Sequence, residues 1–142
     1  MRFVIIRKAD ADTEAGALPT RELVSDMLAY NDELAKAGLL RGGDGLRPSS
    51  TGVRVSFENG TPTITDGPFA EAKELVAGFT IIEAASQEEA LEWVRRWPVS
   101  DGRGNVQLEL RQVVEPEDFG PEFSEELRRH YEQHLRSEPA PS

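Results

Sequence analysis

The sequence has no cysteine among its 142 residues. That absence removes disulfides, thiolate nucleophiles and cysteine-based metal sites together. It also fits a reducing cytoplasm, the compartment expected for this chain. Long apolar runs are missing too. The opening stretch Phe3-Val4-Ile5-Ile6 gives way at once to Arg7 and Lys8. It is shorter than the apolar region of a signal peptide, and nothing approaches the roughly 18 apolar residues of a membrane span. Basic residues are scarce: 16 lysines and arginines face 26 aspartates and glutamates, for a formal net charge of −10. Such a surface repels phosphate backbones and anionic lipid unless a local basic stripe overcomes it. The arginine doublets Arg95-Arg96 and Arg128-Arg129 lie near acids and form no stripe. Neither a nucleic-acid nor a membrane partner is expected, and the acidity reads as solubility.

What is present is enough chain to bury one core without covalent staples. Phe3 to Arg7 reads as a buried strand. The acidic, small-residue segment Ala9 to Gly16 reads as a mobile loop. Pro19-Thr20 then starts a helix, with Thr20 as N-cap and Glu22 near the positive helix end. Leu23, Met27, Asn31 and Leu34, flanked by Val24, Leu28 and Ala35, hold the spacing of one buried face. Gly38 suits the left-handed residue that closes the helix. Leu39-Leu40-Arg41 is strand-like and is expected to break at Gly42-Gly43-Asp44-Gly45, a turn that lines a pocket in the functional reading. Val53, Val55 and Phe57 alternate with polar residues, Asn59-Gly60 supplies a tight turn, and Thr61 to Thr65 returns with Pro62 at an edge.

A short helical piece is expected near Ala70 to Glu74, and Val76 to Ile82 has the composition of a central strand. Ser86 to Glu89 reads as a capping box opening a helix that Pro98 ends. After Asp101-Gly102-Arg103-Gly104, Val106, Leu108 and Leu110 alternate with polar residues in a last strand ending near Val114. The order is βαβ, an inserted hairpin, then βαβ. Two such halves with both helices on one sheet face define an α+β, ferredoxin-like plan over residues 1–114. Residues 115–142 form an acidic extension. A tail helix is expected from Ser124 to Leu135, with Phe123, Leu127, Tyr131 and Leu135 as its apolar stripe, and Ser137 to Ser142 is expected to be disordered.

The densest polar cluster is Asp66-Gly67-Pro68-Phe69-Ala70-Glu71-Ala72-Lys73-Glu74. If helix begins at Pro68, Phe69 and Lys73 share a face, with Glu71 roughly opposite. In a functional reading Asp66 moves a proton and Lys73 holds an anionic ligand. In a structural reading Asp-Gly-Pro is turn chemistry and Lys73-Glu74 is a solvated face. His130 and His134 stand one turn apart, but the glutamate between them is misplaced for the zinc-protease arrangement and Arg128 and Arg129 oppose a cation, so no metal is expected.

That nine-residue stretch, with Gly78-Phe79, Glu89-Ala90-Leu91-Glu92-Trp93, Gly43-Asp44-Gly45-Leu46, Glu109-Leu110-Arg111-Gln112-Val113 and Glu117-Asp118-Phe119-Gly120, resembles the DGPF branch of the YCII-related family. The resemblance spans almost the whole chain. It implies a ferredoxin-like fold of the dimeric α/β-barrel type, a homodimer, and a functional link to an extracytoplasmic-function sigma factor. Some relatives use a His–Asp pair with the histidine on the first helix. Measured back from Gly38, that position falls near Met27, and no histidine precedes His130. A methionine cannot transfer protons, so that chemistry does not carry over. Two functions stand beside each other. One is a non-catalytic dimeric module for a small ligand or a regulatory partner. The other is a cofactor-independent lyase or isomerase acting on a small polar organic molecule. In the second, Asp66 would carry the proton, while Lys73, Asp44, Arg111, Phe69 and Glu71 would bind the substrate.

Overall fold

The computed structural model describes residues 1–134. Its first strand, β1 (Arg2–Lys8), alternates buried and half-buried side chains, with Phe3, Ile5 and Arg7 on the buried side. A one-turn helix α1 (Ala11–Glu14) follows, where a mobile loop was expected. The cause is Asp10: its carboxylate accepts from the Thr13 amide while the Thr13 hydroxyl accepts from the Asp10 amide, a closed reciprocal cap.

Helix α2 (Arg21–Lys36) starts where Thr20 Oγ1 accepts from the Leu23 amide. It ends in a Schellman turn: Gly38 has φ of +79°, and the Leu39 amide returns to the Leu34 carbonyl. Tyr30 and Leu34 are its buried residues, whereas Val24 and Leu28 lie in solvent rather than flanking the core. Strand β2 (Leu40–Gly45) continues through the glycines that were expected to break it, with a register shift between Leu40 and Gly42. Glycine is needed here. A Cβ at Gly43 would stand 2.6 Å from the Phe79 carbonyl oxygen, and the residue has φ of +154°.

Strands β3 (Val53–Glu58) and β4 (Thr61–Asp66) form a separate two-stranded hairpin, turned by Asn59 and Gly60 at φ of +50° and +80°. The short helical piece expected near Ala70 to Glu74 is reduced to one turn. Glu71 is left-handed at φ of +61°, which stops helical propagation and leaves a single 3-10 turn at Ala72–Glu74. Strand β5 (Val76–Glu83) then crosses the sheet centre, helix α3 (Gln87–Arg95) follows, and β6 (Leu108–Gln112) closes the set. Ser86 caps α3 through the Glu89 amide as expected. Glu89 itself reaches one residue further back, to the Ala85 amide.

The main sheet has strand order β2-β5-β1-β6, all antiparallel, which is the ferredoxin-like arrangement. Phe3, Ile5 and Ile82 on the sheet meet Tyr30, Leu34 and Ala90 on α2 and α3 in one core. The Tyr30 hydroxyl donates to the Trp93 carbonyl at 2.7 Å, and burial pushes its pKa up to about 12. Residues from Val113 onward form a second unit, with a 3-10 turn at Pro116–Phe119 and helix α4 (Pro121–His134). Within it Arg128 pairs with Glu117, and the His130 and His134 rings lie 4.9 Å apart. Leu135 and the segment Ser137 to Ser142 lie outside the described residues.

The Asp-Gly-Pro-Phe turn joins the hairpin to the rest of the first unit. The Gly67 amide donates to the Gly52 carbonyl, and the Phe69 amide donates to Ser49 Oγ. Ser49 in turn gives both its amide and its hydroxyl to the Glu14 carboxylate, at 3.0 and 2.5 Å. Gly67 sits so close that a Cβ there would fall 1.7 Å from the Ser49 carbonyl oxygen. Gly67→Ala should therefore lower unfolding stability by about 3 kcal/mol, within the range for a forced backbone displacement. Chemical denaturation checks this, and an unchanged midpoint would show that the clip is dispensable.

Candidate ligand-binding cavity

A cavity of about 730 Å³ opens between α2 and the sheet. Leu23, Met27 and Asn31 of α2 form one wall, and the glycine-rich strand β2 forms the opposite one. Gly45 adds no side chain to that wall, and a Cβ there would meet no atom within 4 Å. The segment 17–20 and the loop after α3, with Ser100 to Arg103, complete the rim.

At the floor is a buried ion-pair cluster. Arg7 Nε and Nη2 donate to Asp101 Oδ2 and Oδ1 at 3.1 and 2.7 Å, a fork-to-fork pair. Arg7 Nη1 donates to Asp10 Oδ2 at 3.0 Å and to the Lys8 carbonyl at 2.7 Å. The Trp97 indole nitrogen gives Asp101 Oδ2 a further bond at 2.9 Å. Arg7 and Asp101 are 7% and 6% exposed, so each would be a costly unpaired charge without the other. The hydrogen bonds that Arg7 donates to Asp101 raise the Arg7 pKa against an opposing push from burial. Nearby, Ser100 Oγ donates to Asp26 Oδ2 at 2.7 Å, tying the same loop to α2. Gly102 makes the approach possible: it has φ of +58°, and a Cβ there would fall 2.7 Å from Val106 Cγ1.

Of the expected site residues, Asp44 borders this cavity, but its position opposite Phe79 in the ladder turns its side chain to the sheet face away from α2. Asp66, Phe69, Glu71 and Lys73 are not in its lining. Asp66, Glu71 and Lys73 are exposed, while the Phe69 ring packs under the Arg54 guanidinium, 4.1 Å from the ring centroid. The face shared by Phe69 and Lys73 was conditional on a helix that does not form. Arg111 lies on the edge strand β6 beside Glu109, also apart from the cavity. Met27, where the resemblance places a histidine in some relatives, faces the cavity as a thioether with no proton to give.

Sequence reasoning passed over Arg7, Asp10 and Asp101. One signal was available. Arg7 keeps the two-residue phase of Phe3 and Ile5, and an arginine on the inward phase of a strand needs a buried partner. Nothing in the spacing identified Asp101 as that partner, 94 residues away.

A four-stranded antiparallel sheet carrying two helices over a polar-floored cavity defines a small ferredoxin-like α+β domain. The chain belongs to the YCII-related domain family, whose pattern spans residues 1–114. An uncharacterized protein, R00369 of Rhizobium meliloti (strain 1021), is 34% identical over 73 residues, 51% of this chain and 59% of that protein. Among solved structures, the chain is similar to a 5-chloro-2-hydroxyhydroquinone dehydrochlorinase from Burkholderia phenoliruptrix AC1100, in complex with 2,5-dihydroxybenzoquinone. The two are 19% identical with a TM-score of 0.46, over 81% of this chain and 95% of that one.

The floor cluster has a pH signature. Burial raises the Asp10 pKa, but bonds from the Thr13 amide and from Arg7 outweigh it, so the folded value lies below the ordinary 3.8. A depressed carboxylate contributes stability that is present above the unfolded pKa and lost as pH falls through the folded one. Thermal unfolding of the wild type should weaken below about pH 4, and Asp10→Asn should flatten part of that decline. Identical acid profiles for the two proteins would remove Asp10 from the effect.

Proposed function

We propose that this protein is a small-molecule-binding module that holds its ligand in the cavity between α2 and the sheet. One observation carries the reading: about 730 Å³ of space with apolar walls and a few fixed polar groups, within the size range of small-ligand sites. Chemistry at the site is less well supported. Asp10, a carboxylate on the cavity wall, is held ionised by its partners and is a poor proton carrier near neutrality. The acid–base alternative would have to use Asp44, which borders the cavity but whose position opposite Phe79 turns its carboxylate to the other sheet face. In that reading Asp44 takes the proton-carrying part that the sequence suggested for Asp66. A regulatory role beside an extracytoplasmic-function sigma factor fits the binding reading, with the bound molecule as the signal.

Met27→Trp tests the site by filling it. Native mass spectrometry of the purified protein should show a co-purifying small molecule that the folded variant has lost. Retention of the same mass by a folded Met27→Trp protein would place the ligand elsewhere.

The proposal extends to a homodimer. The alternation of the strands sets Val4 and Ile6 of β1 with Phe79 and Ile81 of β5 on the face opposite α2 and α3, where they are only half-buried. An apolar sheet face of this kind is usually covered by a second layer, and a second copy would supply it. Sedimentation should give twice the 15.7 kDa chain mass, and Ile81→Glu should shift it toward one copy. A wild-type monomer at micromolar concentration would end this part of the proposal.

A further inference from the structure

We infer that the cavity takes an uncharged, largely apolar molecule and holds it by a hydroxyl group, through the hydroxyl of Thr80 and the carboxamide of Asn31. The inference rests on the cavity being the ligand site. It comes from which polar groups of the lining remain unbonded.

Thr80 lies on the inward side of β5, in phase with Gly78 and Ile82, and is 7% exposed. Its ladder partners are Ile5 on β1 and Gly43 on β2. Cross-strand partners share a sheet face, so one flank is a hydrocarbon and the other has no side chain at all. Neither offers a polar side-chain atom, and the Thr80 hydroxyl has no hydrogen-bond partner among the described residues. A buried hydroxyl left unbonded is costly and uncommon. Thr80 lines the cavity, where a ligand can supply that partner.

Asn31 lines the cavity from α2, one helical turn beyond Met27. Its side chain is half-buried and likewise has no partner among the described residues. The other hydroxyls of the lining are engaged: Thr13 with Asp10, Thr20 with the Leu23 amide, and Ser100 with Asp26.

The charged groups are placed differently. Arg7 and Asp101 hold each other, Asp10 is bound to Arg7, and Asp44 turns to the other sheet face. Asp12 and Arg103 stand out in solvent. A ligand ion buried beside Thr80 would have to take its counter-ion from the floor cluster and strand that group's partner. An uncharged hydroxyl needs no counter-ion. It can donate to one of Thr80 and Asn31 and accept from the other, and the N–H that Arg7 Nη2 keeps undonated is a further donor. Leu23, Met27 and Leu40 supply the surface for the apolar body.

The test pairs benzyl alcohol with ethylbenzene, its near-isostere without the hydroxyl, in NMR shift titrations of the full chain. Thr80→Val keeps the shape of the side chain and removes its hydroxyl. The affinity ratio of alcohol to hydrocarbon should fall about tenfold in that variant, the scale of one buried polar group left unpaired. Thr80→Ser should keep the wild-type ratio, and Asn31→Leu should lower it. Because Thr80→Val removes an unbonded hydroxyl, it should melt at the wild-type temperature or above. Benzylammonium and benzoate should both bind more weakly than benzyl alcohol. An unchanged ratio in Thr80→Val, a lower melting temperature for that variant, or tighter binding of either ion overturns the inference and leaves the binding reading standing. Failure of every probe to bind, or binding that Met27→Trp does not disturb, overturns both.

Discussion

The bidentate pair between Arg7 and Asp101 organises this protein. It fastens the end of the first strand to the loop after α3, and through Asp10 it fastens α1 to the same point. A buried ion pair of this kind contributes little net stability, because desolvation offsets most of the attraction. What it fixes is position. Removing either partner would leave a full charge facing a nearly dry interior, so the loop has one acceptable place. Trp97 adds to this by giving its indole hydrogen to Asp101 while its ring packs edge-on against Tyr30, 5.3 Å between centroids. The aromatic core and the polar floor of the cavity are therefore parts of one structure.

The Asp-Gly-Pro-Phe turn has a comparable mechanical part at the other end of the first unit. Its glycine lies against the Ser49 carbonyl where no side chain fits, and its phenylalanine amide is held by the Ser49 hydroxyl. Ser49 is held by Glu14. The motif that stands out most in the sequence thus does packing work, clipping the β3–β4 hairpin to α1. A densely charged motif suggests chemistry, yet its charged members Asp66, Glu71 and Lys73 point to water.

How much could be read from the sequence follows from which forces are local. Thr20, Gly38, Ser86 and Asn59-Gly60 act on neighbours within five residues, and their effects were legible. The two βαβ halves followed from hydrophobic phase, which is also local. The strand through Gly42 to Gly45 was not legible, because glycine weakens a strand by propensity. Only the approach of β5, near enough to forbid a Cβ at residue 43, makes glycine the right residue there. Helix α1 was missed because a single turn depends on Asp10 and Thr13 closing on each other rather than on any periodic face. The cavity floor was missed because Arg7 and Asp101 are distant in the chain, and no spacing rule links them.

The glycine strand has an evolutionary corollary. Gly43 is barred from acquiring any side chain by the neighbouring strand, but a Cβ at Gly45 would meet no atom within 4 Å, and that residue also borders the cavity. The wall is thus fixed at one point and permissive two residues on. A lineage could trade glycine for a bulkier residue at the permissive point and reshape that space in one step, leaving the sheet register intact. Change in the cavity without change in the architecture is built into that strand.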